Sequence, residues 1–483
     1  MPTFAAVDLG ATSGRVVNVH IGPDSIDLDL VRRFPTTTIA GPGGALAWDF
    51  DRLLAEISRG LVEAAQRARL ESVAVDAWGV DYGLLDDSGT RLGPVHAYRS
   101  SRTDGVMDTV VGRLGRERIY GITGIQFLPL NTAYQLVAAR ETADYRAASR
   151  LLMVPDLVNH SLCGSRTNDV TDASTTQLLD ASARRWSDEL VDALGLRPEI
   201  LPELHEPGTE LGAVSGLGRA VDGLRVVAAA SHDTASAVAG TPLRAGRDDV
   251  YISCGTWALV GCELPAPVTT PDALAANVTN ELGVDGSVRM LKNVTGLWLL
   301  EECRRWWATQ GADHSASELV SAAEAVPGGR AVIDPDDPRF VAPGDLPSRI
   351  AVACAESGQP VPSSPGEVVR VILDSLALAW RSTVRTIERV RGQPAELIHL
   401  VGGGSSILLL RRLCASACEC PVMAGPAEAT VVGNAIVQAV TTGALAGVGD
   451  GRRLVERALP IDRVTPESTL DWDALARRLA DAP

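Results

Sequence analysis

The sequence predicts an α/β protein, and three observations carry the prediction. Apolar runs of strand length alternate with longer segments of helical periodicity through both halves of the chain. Two of the runs, at residues 4–9 and 250–253, lead through a short turn of small residues into a second apolar run, the pattern of a β-hairpin. The 483 residues exceed the span of one ordinary hydrophobic core, so two domains are expected.

Residues 4–9 form a strand ending in Asp8-Leu9-Gly10, residues 10–14 a turn of Gly, Ala, Thr, Ser and Gly, and residues 15–21 the returning strand. Residues 50–70 carry apolar side chains at helical spacing, 72–78 form a strand, and 83–91 a strand running into the turn Asp87-Ser88-Gly89. Helical stretches fill residues 103–163. A buried-type strand at 224–230 is followed directly by Ser231-His232-Asp233-Thr234 and a small-residue helix at 235–240.

The second hairpin comprises 250–253, the turn Cys254-Gly255-Thr256, and 257–262. A strand at 287–292 ends at Asn293, and a helix spans 296–307. Residues 334–347 and 358–365 are irregular surface segments. A long helix at 366–391, a strand at 397–401, the run Gly402-Gly403-Gly404-Ser405-Ser406, a helix through residue 417 and another at 429–443 follow. The boundary is expected at 242–249, giving domains 1–243 and 244–483. The two hairpins echo each other, as an ancient duplication or the commonness of such hairpins would each explain.

Hydrophobic residues make up 46% and charged residues 22%, the profile of a folded globular chain. A formal net charge of -16 repels phosphate backbones, so nucleic acid is not an expected partner, although backbone N–H groups still bind small anions. The start MPTFAAVDLG has no basic region followed by an apolar stretch, and no run of about 18 apolar residues occurs, so neither a signal peptide nor a membrane span is expected. The cytoplasm follows as the expected compartment. Eight cysteines show no disulfide framework; Cys414, Cys418 and Cys420 lie close but lack a fourth ligand at zinc spacing. They are expected to be buried thiols in a reducing compartment. The oligomeric state is left open.

Several segments carry residues suited to chemistry. A small-residue turn after Asp8 lets backbone N–H groups approach a polyphosphate; Thr12 and Ser13 add hydroxyl donors and Arg15 adds charge. An acid beside phosphate calls for a cation, so Asp8 points to Mg²⁺; an ordinary hairpin with a capping Asp is the alternative. Gly255-Thr256 has the same features, with a plain strand turn as its alternative. Gly402-Gly403-Gly404 offers a flat shelf for an adenosine ring or a phosphate, or is a flexible strand–helix turn. Asp233 stands after a buried strand, either as the acceptor of a hydroxyl proton or as the cap of the next helix. Trp78-Gly79-Val80-Asp81 offers an aromatic and a carboxylate to a sugar, or is a core Trp at a strand end.

Taken together and in this order, Ala6-Val7-Asp8-Leu9-Gly10, Asp233, Ser253-Cys254-Gly255-Thr256 and Val401-Gly402-Gly403-Gly404 resemble the FGGY carbohydrate kinases over nearly the whole chain. The stretches at 76–86, 97–103, 124–136, 171–180, 231–238, 293–301 and 424–438 are similar to the branch of that family acting on L-rhamnulose.

The resemblance implies two actin-like (ribonuclease H-like) ATPase domains with a cleft between them. It implies transfer of phosphate from ATP, with Mg²⁺, to the C1 hydroxyl of L-rhamnulose. Asp233 would accept the proton; Gly79, His232, Thr234 and Asn293 would contact the sugar. Ala11, Thr12, Ser13, Gly14, Arg15, Thr256 and Gly402 or Gly403 would hold ATP, and Asp8 would help place Mg²⁺. Glu301 departs from the glutamine often found there and is carried as a nucleotide contact. Other FGGY kinases, acting on fuculose, xylulose or a related polyol, and a non-catalytic actin-like sugar sensor are the rival readings.

Overall fold

The computed structural model describes residues 1–467 and 470–480. The chain forms two units. The first comprises Met1–Pro242, Glu263–Met290 and Ala429–Leu459; the second comprises Leu243–Cys262, Leu291–Glu428 and Pro460–Pro483. The chain therefore leaves the first unit after Pro242 but returns to it twice, and a division into 1–243 and 244–483 does not register those returns.

The first unit is built on a six-stranded sheet. Its strands are β1 (Thr3–Leu9), β2 (Ser13–Ile21), β3 (Ile26–Pro35), β4 (Ser72–Ala77), β5 (Glu210–Ala213) and β6 (Arg225–Val227), in the spatial order β5-β6-β4-β1-β2-β3. β1 is buried along its whole length, and so is β4. β1 runs antiparallel to β2 and parallel to β4, with Asp8 opposite Arg15 on one side and Asp76 on the other. Helix α1 (Phe50–Arg67) starts at the Asp49 cap and buries Phe50, Leu53, Ile57, Leu61 and Ala64, the stripe that three- and four-residue spacing dictates. Its Gly60 lies so near Val16 that a Cβ would come within 2.5 Å of it.

The second unit uses β7 (Asp249–Cys254), β8 (Trp257–Leu264), β9 (Val288–Thr295), β10 (Leu397–Val401), β11 (Val422–Ala424) and β12 (Asp462–Val464), in the order β12-β11-β10-β7-β8-β9. β7 is antiparallel to β8 and parallel to β10, with Ser253 opposite Val401. The sheet has a seventh strand, Thr279–Leu282, next to β9, and its other six repeat the arrangement of the first sheet: a hairpin, a parallel neighbour, then a further parallel strand with an antiparallel edge. Helix α2 (Asp233–Ala239) belongs to the first unit, while α3 (Trp298–Thr309), α4 (Pro365–Arg391) and α5 (Leu408–Cys418) belong to the second. α4 is capped by the Ser364 hydroxyl and closed by Gly392 at φ 79°.

The last return is α6 (Ala429–Thr441), which packs on α2 through glycines. A Cβ on Gly240 would come within 2.2 Å of the Ala429 carbonyl oxygen, so backbone touches backbone there. Among the described residues no helix is long and apolar enough to cross a membrane. All eight cysteines are free; Cys163 and Cys418 are half-buried and the other six buried.

Candidate active site

In the first unit, the carboxyl end of the sheet gathers acids. Asp8 stands one residue before the end of β1, and Asp76 holds the matching position on β4. Ala77 then bridges to His232 in parallel register, which brings Asp233 in beside them. Asp8 Oδ2 accepts from Arg15 Nε at 2.8 Å and from its terminal nitrogen at 2.6 Å, so the hairpin's cation is turned onto its acid. The turn is braced by Thr36, whose hydroxyl donates to Gly10 O at 2.9 Å and whose N–H donates to Thr12 O at 3.2 Å. Thr12 is exposed at its tip; Ala11 and Ser13 are half-buried, and Gly14 is buried against the Phe34 ring.

Asp76 is buried. Its Oδ2 accepts from Asn434 Nδ2 at 2.6 Å, while its Oδ1 has no hydrogen-bond partner. Burial and the charge of Asp8 push its pKa well above the ordinary carboxylate value, against the pull of the Asn434 hydrogen bond. Asp233 opens α2 and remains 30% exposed. Its pKa is also raised, by burial and by Asp8, with nearby His232 opposing. Thr234 donates its hydroxyl to Asp233 Oδ1 at 3.1 Å, and His232 Nε2 lies 3.5 Å from the same oxygen.

The turn after β4 is strained. Val80 has φ 68°, in the left-handed region that β-branched side chains avoid. It is held there from both sides: its N–H donates to Thr175 Oγ1 at 3.0 Å, and its carbonyl accepts from Thr132 Oγ1 at 2.6 Å and Gln135 Nε2 at 3.2 Å. Gly79 is required beside it, because a Cβ would fall 2.9 Å from Thr175 Cγ2. Trp78 and Asp81 are buried structural groups. Asp81 Oδ2 accepts from Trp48 Nε1 at 2.7 Å, Trp78 Nε1 at 3.1 Å and Tyr98 N at 3.1 Å, and its Oδ1 from Gln135 at 2.9 Å. Burial still pushes its pKa up to about 6.

One short segment, residues 169–176, carries three hydroxyls that hold three loops. Thr171 Oγ1 accepts from His232 N at 3.2 Å, Ser174 Oγ from Leu282 N at 2.9 Å, and Thr175 Oγ1 from Val80 N. Asp169 and Asp172 of the same segment are buried, and so is Asp156. Burial pushes Asp169 up to about 7 despite hydrogen bonds from Thr171 and Ser231.

In the second unit, the turn between β7 and β8 is backed by glycines. Leu297 N donates to Gly255 O at 2.8 Å, and Gly296 N to Thr256 O at 3.2 Å. Gly402 has φ 78°, and a Cβ on it would stand 2.8 Å from the Cys254 carbonyl oxygen; Gly403 faces open space at 4.0 Å from that oxygen. Thr256 and Asn293 are half-buried beside these turns. Glu301, on the first turn of α3, accepts from Arg304 at 2.7 and 3.1 Å and is 39% exposed. The Cys254 thiol is buried, which pushes it up to about 12.

Asp8, residues 11–15, Gly79, His232, Asp233 and Thr234 thus lie in the first unit, and Thr256, Asn293, Glu301, Gly402 and Gly403 in the second. Sequence reasoning left out Asp76, Asn434, Glu281 and Arg289. The signal for Asp76 was there: an acid one place before the end of an apolar strand, as in β1. Among the described residues no group of three or more His, Cys, Asp or Glu is arranged to hold a metal ion alone. Mg²⁺ requires few protein oxygens, since it keeps waters and takes phosphate oxygens. Asp8 and the unpartnered Asp76 Oδ1 supply oxygen of that kind.

Comparison with known proteins agrees in its extent. The N-terminal domain of the FGGY family of carbohydrate kinases matches residues 3–240, and its C-terminal domain matches residues 250–442. The chain is 43% identical over 482 residues to a rhamnulokinase of Pectobacterium carotovorum, covering 98% of this chain and 95% of that one. It is 39% identical over 477 residues to a rhamnulokinase of Bacteroides thetaiotaomicron, covering 98% and 97%. The fold is similar to that of a ligand-bound xylulose kinase from Lactobacillus acidophilus, with a TM-score of 0.80 at 15% identity over 99% of this chain and 96% of that one. FGGY kinases use ATP with Mg²⁺ and transfer phosphate to an alcohol group of a sugar. The repeated sheet, the acid-lined first hairpin, the glycine-backed second one and these matches all lead to one conclusion: the chain belongs to the FGGY family of carbohydrate kinases.

Proposed function

We propose that the protein phosphorylates L-rhamnulose at its C1 hydroxyl, using ATP and Mg²⁺, to give L-rhamnulose 1-phosphate and ADP in L-rhamnose catabolism. The observation that carries the mechanism is the convergence of Asp8, Asp76 and Asp233 at neighbouring strand ends, with Asp233 alone of the three partly exposed. The substrate is supported by relatives named rhamnulokinase that match nearly the full length.

Asp233 accepts the proton of the attacking hydroxyl. Its partial burial and the neighbouring Asp8 raise its basicity, which suits a proton acceptor working near neutral pH. His232, Thr234, Gly79 and Asn293 orient the sugar, and the fixed Val80 turn keeps Gly79 in place. Residues 1–243 carry sugar recognition and the first phosphate hairpin, and residues 244–483 the nucleotide. The 11–15 turn, Thr256, Gly402 and Gly403 bind ATP through backbone N–H groups and hydroxyls, with Glu301 at the nucleotide's edge. Asp8 and Asp76 would hold Mg²⁺, which neutralises charge on the transferring phosphoryl group. A cytoplasmic setting fits the eight free cysteines.

The test is ADP release from Mg·ATP with L-rhamnulose, L-fuculose, L-ribulose, D-xylulose and glycerol in parallel. A strong preference for L-rhamnulose is expected. Preference for another ketose would move the assignment within the family, and ATP binding without sugar-dependent release would favour a sensor.

A further inference from the structure

Arg289 is fully buried, on β9 behind His232. Its Nε donates to Leu282 O at 3.2 Å. One terminal nitrogen lies 3.1 Å from His232 Nδ1 and 3.2 Å from Glu281 Oε2. Glu281 Oε2 is also 3.2 Å from His232 Nδ1, yet no N–H is aimed at it, and it stays buried without a hydrogen-bond partner. Glu281 is the counter-charge of Arg289: burial opposes its ionisation, but the Arg289 charge holds its pKa below the ordinary value.

A guanidinium has donors only. The imidazole nitrogen it faces at hydrogen-bonding distance is therefore the bare one, and the proton of a neutral ring sits on the other nitrogen. That other nitrogen, Nε2, is the one 3.5 Å from Asp233 Oδ1. The backbone N–H of His232 donates to Thr171 Oγ1 at 3.2 Å, which fixes the main chain from which the ring projects.

We propose that Arg289, neutralised by Glu281, is a positioning residue that fixes His232 as its Nε2–H tautomer, so that the imidazole donates to a sugar oxygen beside Asp233. Held in this way, His232 has no lone pair to offer the attacking hydroxyl and leaves Asp233 as the sole proton acceptor. The Arg289–Glu281 pair thereby divides the work of two adjacent residues, one donating and one accepting. The inference rests on the reading of Asp233 as the proton acceptor and of His232 as a sugar contact.

Two measurements test it. Long-range ¹H–¹⁵N spectra of the full-length protein labelled at its histidines, with the His232 signals assigned by loss in His232→Gln, report the tautomer directly. The Nε2–H form is expected, and an Nδ1–H form overturns the proposal even where the kinase reading stands. Kinetics of the charge-balanced double variant Arg289→Met/Glu281→Gln supply the second readout. The KM for sugar should rise about tenfold, the worth of one well-placed hydrogen bond, with the KM for ATP unchanged and Arg289→Lys intermediate. An unchanged sugar KM overturns the proposal. If the double variant does not fold, the tautomer of the wild-type protein decides. Full turnover in Asp233→Asn would instead overturn the site reading, which separates the two failures.

Discussion

At the ends of β1 and β4 stand Asp8 and Asp76, with Asp233 following β6; at the equivalent ends of β7, β10 and β11 stand Cys254, Gly402 and Gly425. Two sheets with one order of strands thus end in opposite chemistry. The first gathers carboxylates, where burial and then the charge of Asp8 raise the pKa of Asp76 and Asp233. The second offers bare backbone and a buried neutral thiol. The shared frame keeps its topology because the core demands it, while the residues at the strand ends differ. On the proposed reading, the acidic end handles the cation and the proton, and the glycine end lies against the nucleotide.

The largest effect should come from removing the proton acceptor of the acidic end. Asp233→Asn keeps the shape and the Thr234 hydrogen bond but loses basicity. Turnover should fall by about 10²- to 10⁴-fold, while calorimetry finds ADP affinity unchanged. Unchanged turnover would remove Asp233 from its role.

The glycine end should respond in binding instead. Gly402→Ala puts a methyl group 2.8 Å from a carbonyl oxygen at φ 78°, a strain of about 1–3 kcal/mol. The KM for ATP should rise about tenfold or more, with a lower melting temperature. Gly403→Ala, whose Cβ comes no nearer than 4.0 Å to that oxygen, carries no such strain and should leave the melting temperature little changed. Equal effects from the two would show that the close approach to Cys254 is irrelevant.

Thr175→Val sharpens the comparison inside the first unit. It leaves the Val80 N–H without an acceptor, at a cost of about 1–3 kcal/mol. The expected result is a rise in sugar KM of about tenfold with ATP binding intact. A matching rise in ATP KM would mean the turn serves the whole unit rather than the sugar side.

Much of this frame was legible in the sequence. Both hairpins and the long helix α4 follow from local periodicity, with observed bounds close to those expected, while the strand before Asp233, expected over 224–230, is formed only over Arg225–Val227. What escaped depends on contacts distant in sequence. β3 (Ile26–Pro35) is the exception: the turn Gly22-Pro23-Asp24-Ser25 and the alternation Ile-Asp-Leu-Asp-Leu announce it locally, although it is a half-exposed edge strand. Asn434 meets Asp76 across 358 residues, and Gly433 packs on Ser236 only because α6 returns to the first unit. Thr171, Ser174 and Thr175 look like ordinary helix-cap residues until the distant N–H groups that donate to them are seen. For Trp78 and Asp81 the sequence left a sugar contact and a core role open, and the core consumes both.

The buried acids should also leave a signature in stability. The Asp169 carboxyl ionises near 4 in an unfolded chain and at about 7 when folded. Between those values the native state holds a proton that the unfolded state has lost, so stability falls as pH rises from about 4 to 7. Asp156 and Asp172, both raised by burial, act in the same direction. Asp169→Asn keeps an accepting oxygen for Thr171 and Ser231 but has no proton to lose. The drop in urea midpoint between about pH 5 and pH 7 should shrink in that variant. An unaltered drop would place the titration on other groups.

The smallest effect is expected at the one acid proposed for the nucleotide side. Glu301 is already paired with Arg304 one turn along α3, an exposed contact of about 0.3–0.5 kcal/mol. Restoring the glutamine often found there, Glu301→Gln, frees Arg304 and removes a negative charge from the glycine end. If charge is excluded from that end because phosphates occupy it, the paired carboxylate is already neutralised and the KM for ATP should change less than about twofold. A tenfold fall in that KM would show that the ion pair does not screen Glu301. The contrast between an acidic end and a glycine end would then be incomplete in this chain, with one unneutralised acid on the side that binds phosphate.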